Sequence, residues 1–392
     1  MNVLFLSRWY PHPPNNGSKI RILNLLRSLS QRHQVSLISF VEPSVDRAAS
    51  NGHIAVQHEE LIPFRAFRPF SARALLALLG TTPRSLVDTR SPELATAIRR
   101  CLSSKSIDLV IASQTCMASY QDCFAGVPSI FEEVELGLFR EAHHTLPAGL
   151  RPMLARLTWR KHCRYMRRLV MKFRACTVAS AVEQALLAQV CPDYKAVHIV
   201  PNGLDMSQYS RTDVPKEKDL LVFAGALSYW PNHEAMSWFL REVFPIVKLA
   251  VPSARVIITG EPGKNSLPPA PDVTLTGPLT DVRPVVASAT VSICPLRSGG
   301  GTRLKLLEAM ALRTPVVATR KAVEGINVTP DRHLLIADGA AEFADAILRL
   351  FHNPGLAQLV TEHAYNLVLA QYDWKAIEPC WMAVVDQAAD VT

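Results

Sequence analysis

The sequence of 392 residues lacks several features that would by themselves indicate a function. No apolar run approaches the ~18 residues that a membrane-spanning helix needs, so no span is predicted. The eight cysteines are scattered without a CxxC pair, which argues against a zinc site and a disulfide framework. The start, MNVLFLSRWY, is not typical of a signal peptide, because Arg8 interrupts its short apolar run. We therefore expect a cytoplasmic protein in a reducing compartment.

Acidic residues are scarce in the first half of the chain. Residues 1–200 contain 25 Lys and Arg against 14 Asp and Glu, and segment 151–174 contains nine Lys and Arg with no acid. Nucleic-acid binding is not predicted, because RNP-type aromatic patterns, zinc knuckles and helix-turn-helix signals are missing. The basic segment allows two interpretations. It is either a peripheral contact with an anionic membrane or a packed helix whose bases extend to solvent.

Short strand patterns alternate with helical patterns along the whole chain. Most strand candidates are continuous apolar runs, which are typical of parallel strands buried on both faces. The predicted strands are 2–7, 34–40, 108–113, 128–133, 175–180 and 196–202, then 219–225, 254–260, 272–277, 289–296, 314–320 and 333–338. This βαβα order in two series predicts an α/β protein with two doubly wound domains.

The boundary between the two series is predicted at residues 201–219, which are polar and contain Pro and Gly. We expect a first domain at 1–200 and a second at 201–372. The remaining residues, 373–392, are predicted to form a C-terminal helix that crosses back to the first domain.

The segment SGGGTRLKLLEAM (298–310) places glycines, cations and a carboxylate behind a predicted strand. Ligands of open α/β sheets bind outside the carboxyl ends of the strands. Glycine loops let backbone N–H groups approach a phosphate, and a helix N-terminus adds positive charge. Thr302 is predicted as the N-cap, and Arg303 and Lys305 in the first turn oppose the helix dipole unless an anion is bound. A diphosphate site is predicted, with a solvated surface loop as the alternative.

Four motifs in order resemble those of retaining GT-B glycosyltransferases of the family-4 (group 1) type. GTRLKLLEAMALRTPVVAT (301–319) resembles the donor-site segment, and PNGLD (201–205) resembles the interdomain signature. GALSYWPN (225–232) resembles the first glycine-rich donor loop, and WYPHPPNNGSKIRILNLLRSL (9–29) the first βα turn. The resemblance spans nearly the whole chain. It implies a GT-B fold, with two Rossmann-like domains facing a central cleft, the first on the acceptor side and the second binding a nucleotide-sugar.

The resemblance also implies roles for individual residues on the donor side. Glu308 matches the second glutamate of the family's E-x7-E pattern, which binds the ribose hydroxyls, and Gly300 stands where the first glutamate is expected. Arg303 and Lys305 are expected to supply the cations that the first donor loop lacks. The other donor-binding candidates are Gly17, Gly225, Asn232, Gly299, Gly301, Thr302 and Glu324. No cofactor and no metal are expected besides the nucleotide-sugar co-substrate.

Three residues are weaker candidates on the acceptor side. Arg21 is expected either to face the cleft or to lie solvated on its helix. Glu132 and Glu133 follow a predicted strand and either orient an acceptor hydroxyl or form a plain acidic loop. Where many relatives have a histidine, this chain has Ser113 and Gln114.

The predicted activity is that of a metal-independent, hexosyl-type glycosyltransferase acting with retention in glycan, polysaccharide or glycolipid biosynthesis. Its acceptor is a sugar or a lipid-linked molecule. Two alternatives remain open: a nucleotide-sugar epimerase of the same fold, and a non-catalytic subunit that binds a partner transferase. The epimerase would require acid/base carboxylates, whereas Gly300 and the missing histidine favour the subunit.

Overall fold

The computed structural model describes residues 1–42, 56–137, 140, 150–209, 214–263 and 265–390, and side chains of the helix that begins at Leu150 from Arg156 onward. The chain divides into two compact units. The first comprises Met1–Asn202 with Ile377–Thr392, and the second comprises Gly203–Ala376. The division therefore falls at the start of the segment predicted as the boundary.

The first unit is built on a parallel sheet whose described strands have the order β3-β2-β1-β4-β5-β6-β7. The strands are β1 (Asn2–Ser7), β2 (Gln34–Val41), β3 (His58–Pro63), β4 (Leu109–Ser113), β5 (Ser129–Glu132), β6 (Ala175–Val178) and β7 (Val197–Ile199). The helices are α1 (Gly17–Ser30), α2 (Ala72–Leu76), α3 (Arg84–Thr89), α4 (Pro92–Ser104), α5 (Gln114–Ala118), α6 (Leu150–Val170) and α7 (Ala181–Val190), with a 3₁₀ turn at Gln121–Cys123.

The second unit contains a parallel sheet with the order β10-β9-β8-β11-β12-β13 among its described strands. These are β8 (Glu217–Ala224), β9 (Arg255–Thr259), β10 (Val273–Gly277), β11 (Ala289–Cys294), β12 (Val316–Ala318) and β13 (Leu335–Ile336). The helices are α8 (Trp230–Trp238), α9 (Phe244–Ala250), α10 (Arg283–Ser288), α11 (Leu304–Ala311), α12 (Ala340–His352), α13 (Pro354–Leu367) and α14 (Trp374–Ala389). A 3₁₀ turn lies at Met206–Tyr209, and π-helical turns lie at Phe239–Val243 and Val368–Tyr372. From Ile377 onward, α14 belongs to the first unit.

Local sequence signals account for the ends of several helices. Asn16 caps α1 by accepting a hydrogen bond from the backbone N of Lys19. Ser91 caps α4 in the same way, and Pro92 occupies the first turn, where its missing N–H costs nothing. Both helices bury apolar residues against the sheet, so capping and packing support the same boundaries.

Both sheets reverse their winding beside a central strand. In the first unit β1 lies between β2 and β4, and in the second β8 lies between β9 and β11. In doubly wound sheets the ligand crevice opens at the carboxyl ends of the strands beside such a point. The prediction of two doubly wound α/β domains is therefore confirmed, and the topology directs the search for a site to these two edges.

Candidate functional site

Two loops of the second unit leave neighbouring strands at the carboxyl edge of their sheet. Residues 225–229 follow β8, residues 295–303 follow β11, and the two strands pair in parallel. The hydroxyl of Ser298 donates to a carboxylate oxygen of Glu234 at 3.0 Å, which ties the second loop to α8. The two segments predicted to bind a donor are therefore adjacent.

The glycine loop after β11 is held by the arginine that follows it. Gly299 and Gly301 have φ angles of 97° and 78°, in the left-handed region that favours glycine. The guanidinium of Arg303 donates to the backbone carbonyls of Gly299, Gly300 and Gly301. Arg303 is also buried, so its charge is directed toward the loop itself. Arg303 therefore holds the loop through its carbonyls. The sequence did not indicate this contact, and the predicted role of Arg303 as a cation for a diphosphate stays a prediction.

The start of α11 differs from the prediction by one residue. The helix begins at Leu304, so Arg303 and not Thr302 occupies the N-cap position, and no side chain caps it. The N-cap prediction for Thr302 was wrong because the bonds from Arg303 keep residues 299–303 in the loop conformation. At this end of the helix the backbone N–H groups of Leu304 and Leu306 bond to the carbonyls of Thr302 and Arg303.

Lys305 lies where the two loops meet. Its Nζ donates to Oδ1 of Asn232 at 2.9 Å and lies 4.1 Å from the centroid of the Phe223 ring. A Cβ at position 225 would overlap this ammonium, so Gly225 gives the lysine its space. Asn232 is fixed in turn, because its Nδ2 donates to the carbonyl of Ala226 at 2.8 Å. Burial lowers the pKa of Lys305 to about 8.

Glu308 lies one turn further along α11 and has a partner that the sequence did not indicate. The hydroxyl of Tyr209 donates to its Oε1 at 2.9 Å. Burial raises the pKa of Glu308, while this hydrogen bond and the charge of Lys305 act in the opposite direction. Tyr209 lies in the polar segment predicted as a linker, where no periodic pattern distinguishes it. One of the two carboxylate oxygens is thus engaged by Tyr209.

Glu324 is the donor-side candidate with the weakest support. It lies on the exposed turn after β12 and forms an ion pair with Lys321 at 2.6 Å. Its side chain is about half exposed, so water competes for the same charge. No hydrogen bond or ion pair between described residues joins Glu324 to the two loops; its ion-pair partner is Lys321.

In the first unit, Arg21 and Glu132 form a buried ion pair. Nε of Arg21 lies 2.6 Å from Oε1 of Glu132, and both side chains are almost fully buried. Arg21 Nη1 also donates to the carbonyls of Val200 and Pro201 and to Oδ1 of Asn202. The alternatives of a solvated arginine and a plain acidic loop are therefore excluded. This pair binds α1, β5 and the end of the first unit together.

Glu133 is next to this pair and has a different environment. Its carboxylate accepts a hydrogen bond from Nε2 of Gln114 at 2.9 Å and lies 3.8 Å from Arg21. Burial and the neighbouring charge of Glu132 raise the pKa of Glu133 to about 7, against the opposing effect of Arg21. Both Gln114 and Glu133 have positive φ angles, 67° and 54°, which are unusual for residues with side chains. They follow the neighbouring strands β4 and β5 at the sheet's carboxyl edge.

Gly17 is the first residue of α1 and is exposed. In the next residue, Ser18, the hydroxyl oxygen accepts a hydrogen bond from Nε2 of Gln114 at 3.4 Å. The turn that begins α1 is thus beside the polar cluster of Arg21, Glu132 and Glu133. Among the residues that the structure describes, no group of three His, Cys, Asp or Glu side chains is arranged to hold a metal ion.

Residues 218–353 match the family model described as glycosyl transferases group 1, and this range includes both loops of the second unit. A curated relative is 25% identical over 169 residues and is described as an uncharacterized 44.6 kDa protein in the cps region of Klebsiella pneumoniae. The match covers 40% of this chain and 43% of that relative, which is less than half of either.

Solved structures of similar fold cover nearly all of the chain. HepE from Anabaena in complex with UDP has a TM-score of 0.70 at 13% identity, covering 98% of this chain and all of the other. Sucrose-phosphate synthase from Thermosynechococcus elongatus has a TM-score of 0.73 at 15% identity, covering 99% of both chains. An E. coli trehalose-6-phosphate protein bound with UDP-2-fluoro glucose has a TM-score of 0.65 at 11% identity over both full lengths. The GT-B fold and the group 1 resemblance are thus confirmed.

Proposed function

We propose that this protein moves a sugar from a nucleoside diphosphate sugar to an acceptor hydroxyl. The proposal is supported by the glycosyl transferases group 1 domain and by the GT-B fold. The observation that carries this proposal is the position of Lys305. Its ammonium is held by Asn232 beside Gly225, at the carboxyl edge where β8 and β11 meet. A partly buried cation at this point of a doubly wound sheet suits an anionic ligand.

The donor contacts follow from the same geometry. Lys305 and the backbone N–H groups of residues 299–301 bind the diphosphate, and Arg303 keeps that loop in shape. The free oxygen of the Glu308 carboxylate accepts hydrogen bonds from the ribose diol, with Tyr209 fixing the other oxygen. Glu324 has a minor role at most, because its charge is already paired in solvent.

During transfer the bond between the anomeric carbon and the diphosphate oxygen breaks, and a bond to the acceptor oxygen forms. Negative charge develops on the leaving diphosphate, where Lys305 and the loop amides stabilise it. Because these groups supply positive charge, we propose that no divalent metal is required. Retention, which the resemblance implies, allows the leaving phosphate to take the acceptor proton.

The first unit is proposed to handle the acceptor, a sugar or a lipid-linked molecule. Glu132 is already paired with Arg21, so Glu133 is the carboxylate that remains to orient the acceptor hydroxyl. Its raised pKa keeps it near its titration point at neutral pH. The basic face of α6 is proposed to contact an anionic membrane. This arrangement suits an enzyme of polysaccharide or glycolipid synthesis.

A thermal-shift screen across nucleoside diphosphate sugars tests this function first, because a tightly bound donor raises the melting temperature by mass action. The best donor is then incubated with and without a simple alcohol as acceptor. A transferase forms a glycoside only with the alcohol, whereas an epimerase interconverts the donor alone. A non-catalytic subunit would bind the donor but turn over neither mixture.

A further inference from the structure

Segment 67–80, FRPFSARALLALLG, exposes large apolar side chains and is called the apolar lobe below. Leu79 is 92% exposed, Phe70 87% and Leu76 72%, and Leu75 and Leu78 are about half exposed. Single exposed leucines are common on protein surfaces, but a cluster within ten residues is characteristic of a contact surface. The lobe therefore requires an explanation outside the core of the first unit.

Polar contacts, and not burial of its leucines, hold the apolar lobe in place. Arg84 Nε donates to the carbonyl of Ala74 at 2.9 Å, and Lys161 Nζ from α6 donates to the carbonyl of Ala77. Ser71 caps α2 by accepting from the backbone N of Ala74 at 3.0 Å. These bonds fix the backbone while the leucine side chains point to solvent. The exposure is thus part of an ordered arrangement.

A stripe of exposed bases lies on the helix that contacts the lobe. The bases recur every four residues and therefore follow one side of α6 and its end. They are Arg156, Arg160, Arg164, Arg168 and Lys172. Residues 65–84 add four arginines, and neither segment contains an acid. The ion pairs between described residues include none of the stripe, so its charge is not neutralised within that part of the chain.

We propose that the apolar lobe and this basic stripe together dock the protein on an anionic lipid bilayer, with the leucines entering the interfacial layer. Apolar side chains beside unneutralised bases match a surface that has anionic headgroups above a hydrocarbon interior. Among the described residues, no helix has the length and apolar character to cross a bilayer. This docking surface extends the membrane contact proposed above for α6, and it uses no residue of the proposed donor site.

Flotation with lipid vesicles tests the proposal. The wild type should float with vesicles containing about a third anionic lipid at low salt and stay behind with neutral vesicles. High salt should weaken this binding, because the Debye length falls to roughly 3 Å at 1 M. The Arg160→Glu, Arg164→Glu, Arg168→Glu variant should no longer float. Lys161 is left unchanged because it anchors the lobe.

The leucines are tested separately from the charges. The Leu76→Ser, Leu79→Ser variant should bind anionic vesicles about tenfold or more weakly, at every salt concentration, because two apolar contacts are lost. Its melting temperature should be unchanged, since both side chains are exposed. Leu249→Ser is the matched control. Leu249 is 87% exposed in the second unit, and its loss should leave vesicle binding intact.

Three outcomes would overturn the proposal. In the first, the leucine variant binds anionic vesicles as tightly as the wild type does. In the second, the wild type binds neutral and anionic vesicles equally well. Alternatively, the wild type ignores vesicles but self-associates in sedimentation, and the leucine variant is monomeric. That result would make the apolar lobe an interface between copies of this chain. In each case donor-dependent thermal shifts remain a separate measurement, so the transferase function stands or fails independently.

Discussion

The ammonium of Lys305 lies 2.9 Å from Oδ1 of Asn232, and this hydrogen bond connects α11 to α8 across the carboxyl edge of the second sheet. Because an amide oxygen carries no net charge, the bond positions the lysine without neutralising it. The ion pairs between described residues do not include Lys305. A positive charge is therefore fixed at the junction of two loops and is available to an anionic ligand.

Lys305→Met should weaken binding of a nucleoside diphosphate by about 1.5–3 kcal/mol, the usual contribution of a charge-assisted hydrogen bond. Isothermal titration calorimetry measures the change. Lys248→Met is the matched control, because Lys248 is paired with Asp272 at the opposite edge of the sheet. An unchanged dissociation constant in the Lys305 variant would remove the phosphate assignment.

The same lysine predicts a pH dependence of donor binding. Its pKa is about 8 in the free protein, and a bound diphosphate favours the charged form. Affinity should therefore fall as the pH rises above 8, by up to about tenfold per pH unit, because binding then requires uptake of a proton. Lys305→Arg should show a flat profile between pH 8 and 10, since guanidinium stays charged.

The titration of Lys305 should also affect the free energy of unfolding, which should rise with pH while donor affinity falls. The folded pKa of Lys305 lies below its unfolded value, so the unfolded state binds more protons between pH 8 and about 10.5. This lysine should therefore raise the free energy of unfolding as pH increases through that range.

The Lys305→Arg variant also tests the assignment of the pH dependence of donor binding. If donor affinity still falls with pH in this variant as it does in the wild type, the titrating group is not Lys305.

Arg303→Lys separates two roles of a cation behind the glycine loop. Lysine keeps the charge but cannot span the three carbonyls that the guanidinium contacts. If Arg303 orders the loop, the variant should lose both thermal stability and donor affinity. If the charge alone acts on the diphosphate, both should be largely retained. Thermal unfolding and calorimetry on one preparation decide between these results.

Glu308→Gln should impair binding of ribonucleoside diphosphates more than of their 2′-deoxy analogues, because a neutral amide is a weaker acceptor for the ribose diol. Equal losses for both ligands would contradict the ribose role. Tyr209→Phe should cause a smaller loss of about 0.5–1.5 kcal/mol, since it removes only the hydrogen bond that positions the carboxylate.

The sequence predicted strands best where both faces are buried. The residues of β1 and β4 are almost all buried, and their predicted ranges agree with the structure to within a residue. The strand β3 was not predicted. It lies at the edge of its sheet, its burial is only partial, and HEELIP therefore shows no continuous apolar run. A hydrophobic pattern in the sequence indicates burial. The edge strand β3 is less buried, so its pattern is weaker.

The side-chain partners of the candidate site were less accessible to sequence reasoning. Arg21 and Glu132 are 111 residues apart, and only the sheet topology brings their charges into contact. Tyr209 reaches Glu308 over 99 residues from a segment without regular pattern. Motifs predicted which residues bind a donor, but contacts between residues far apart in the sequence decide which of the predicted charges have no charged partner among the described residues.

Glu133 provides the last prediction, and Glu132 is its matched control. Glu133→Gln should lower kcat/KM for the acceptor about tenfold to a hundredfold at pH 8, as expected for loss of a charge-assisted hydrogen bond. In the wild type, kcat/KM should rise through pH 7 as the carboxyl loses its proton, and the variant should show no such rise. The donor dissociation constant should not change in either protein.

Stability distinguishes this role from a structural one. The folded pKa of Glu133 lies above its unfolded value, so stability falls as pH rises from about 4.5 to 7, and the buried charge remains a cost above that range. Glu133→Gln removes that charge and should raise the melting temperature at pH 8 while activity falls. Glu132→Gln should instead lower the melting temperature, because it leaves buried Arg21 without its charged partner. If Glu133→Gln instead destabilises the protein and leaves the pH profile intact, Glu133 belongs with Arg21 and Glu132 in the framework, and the acceptor hydroxyl is oriented by another group.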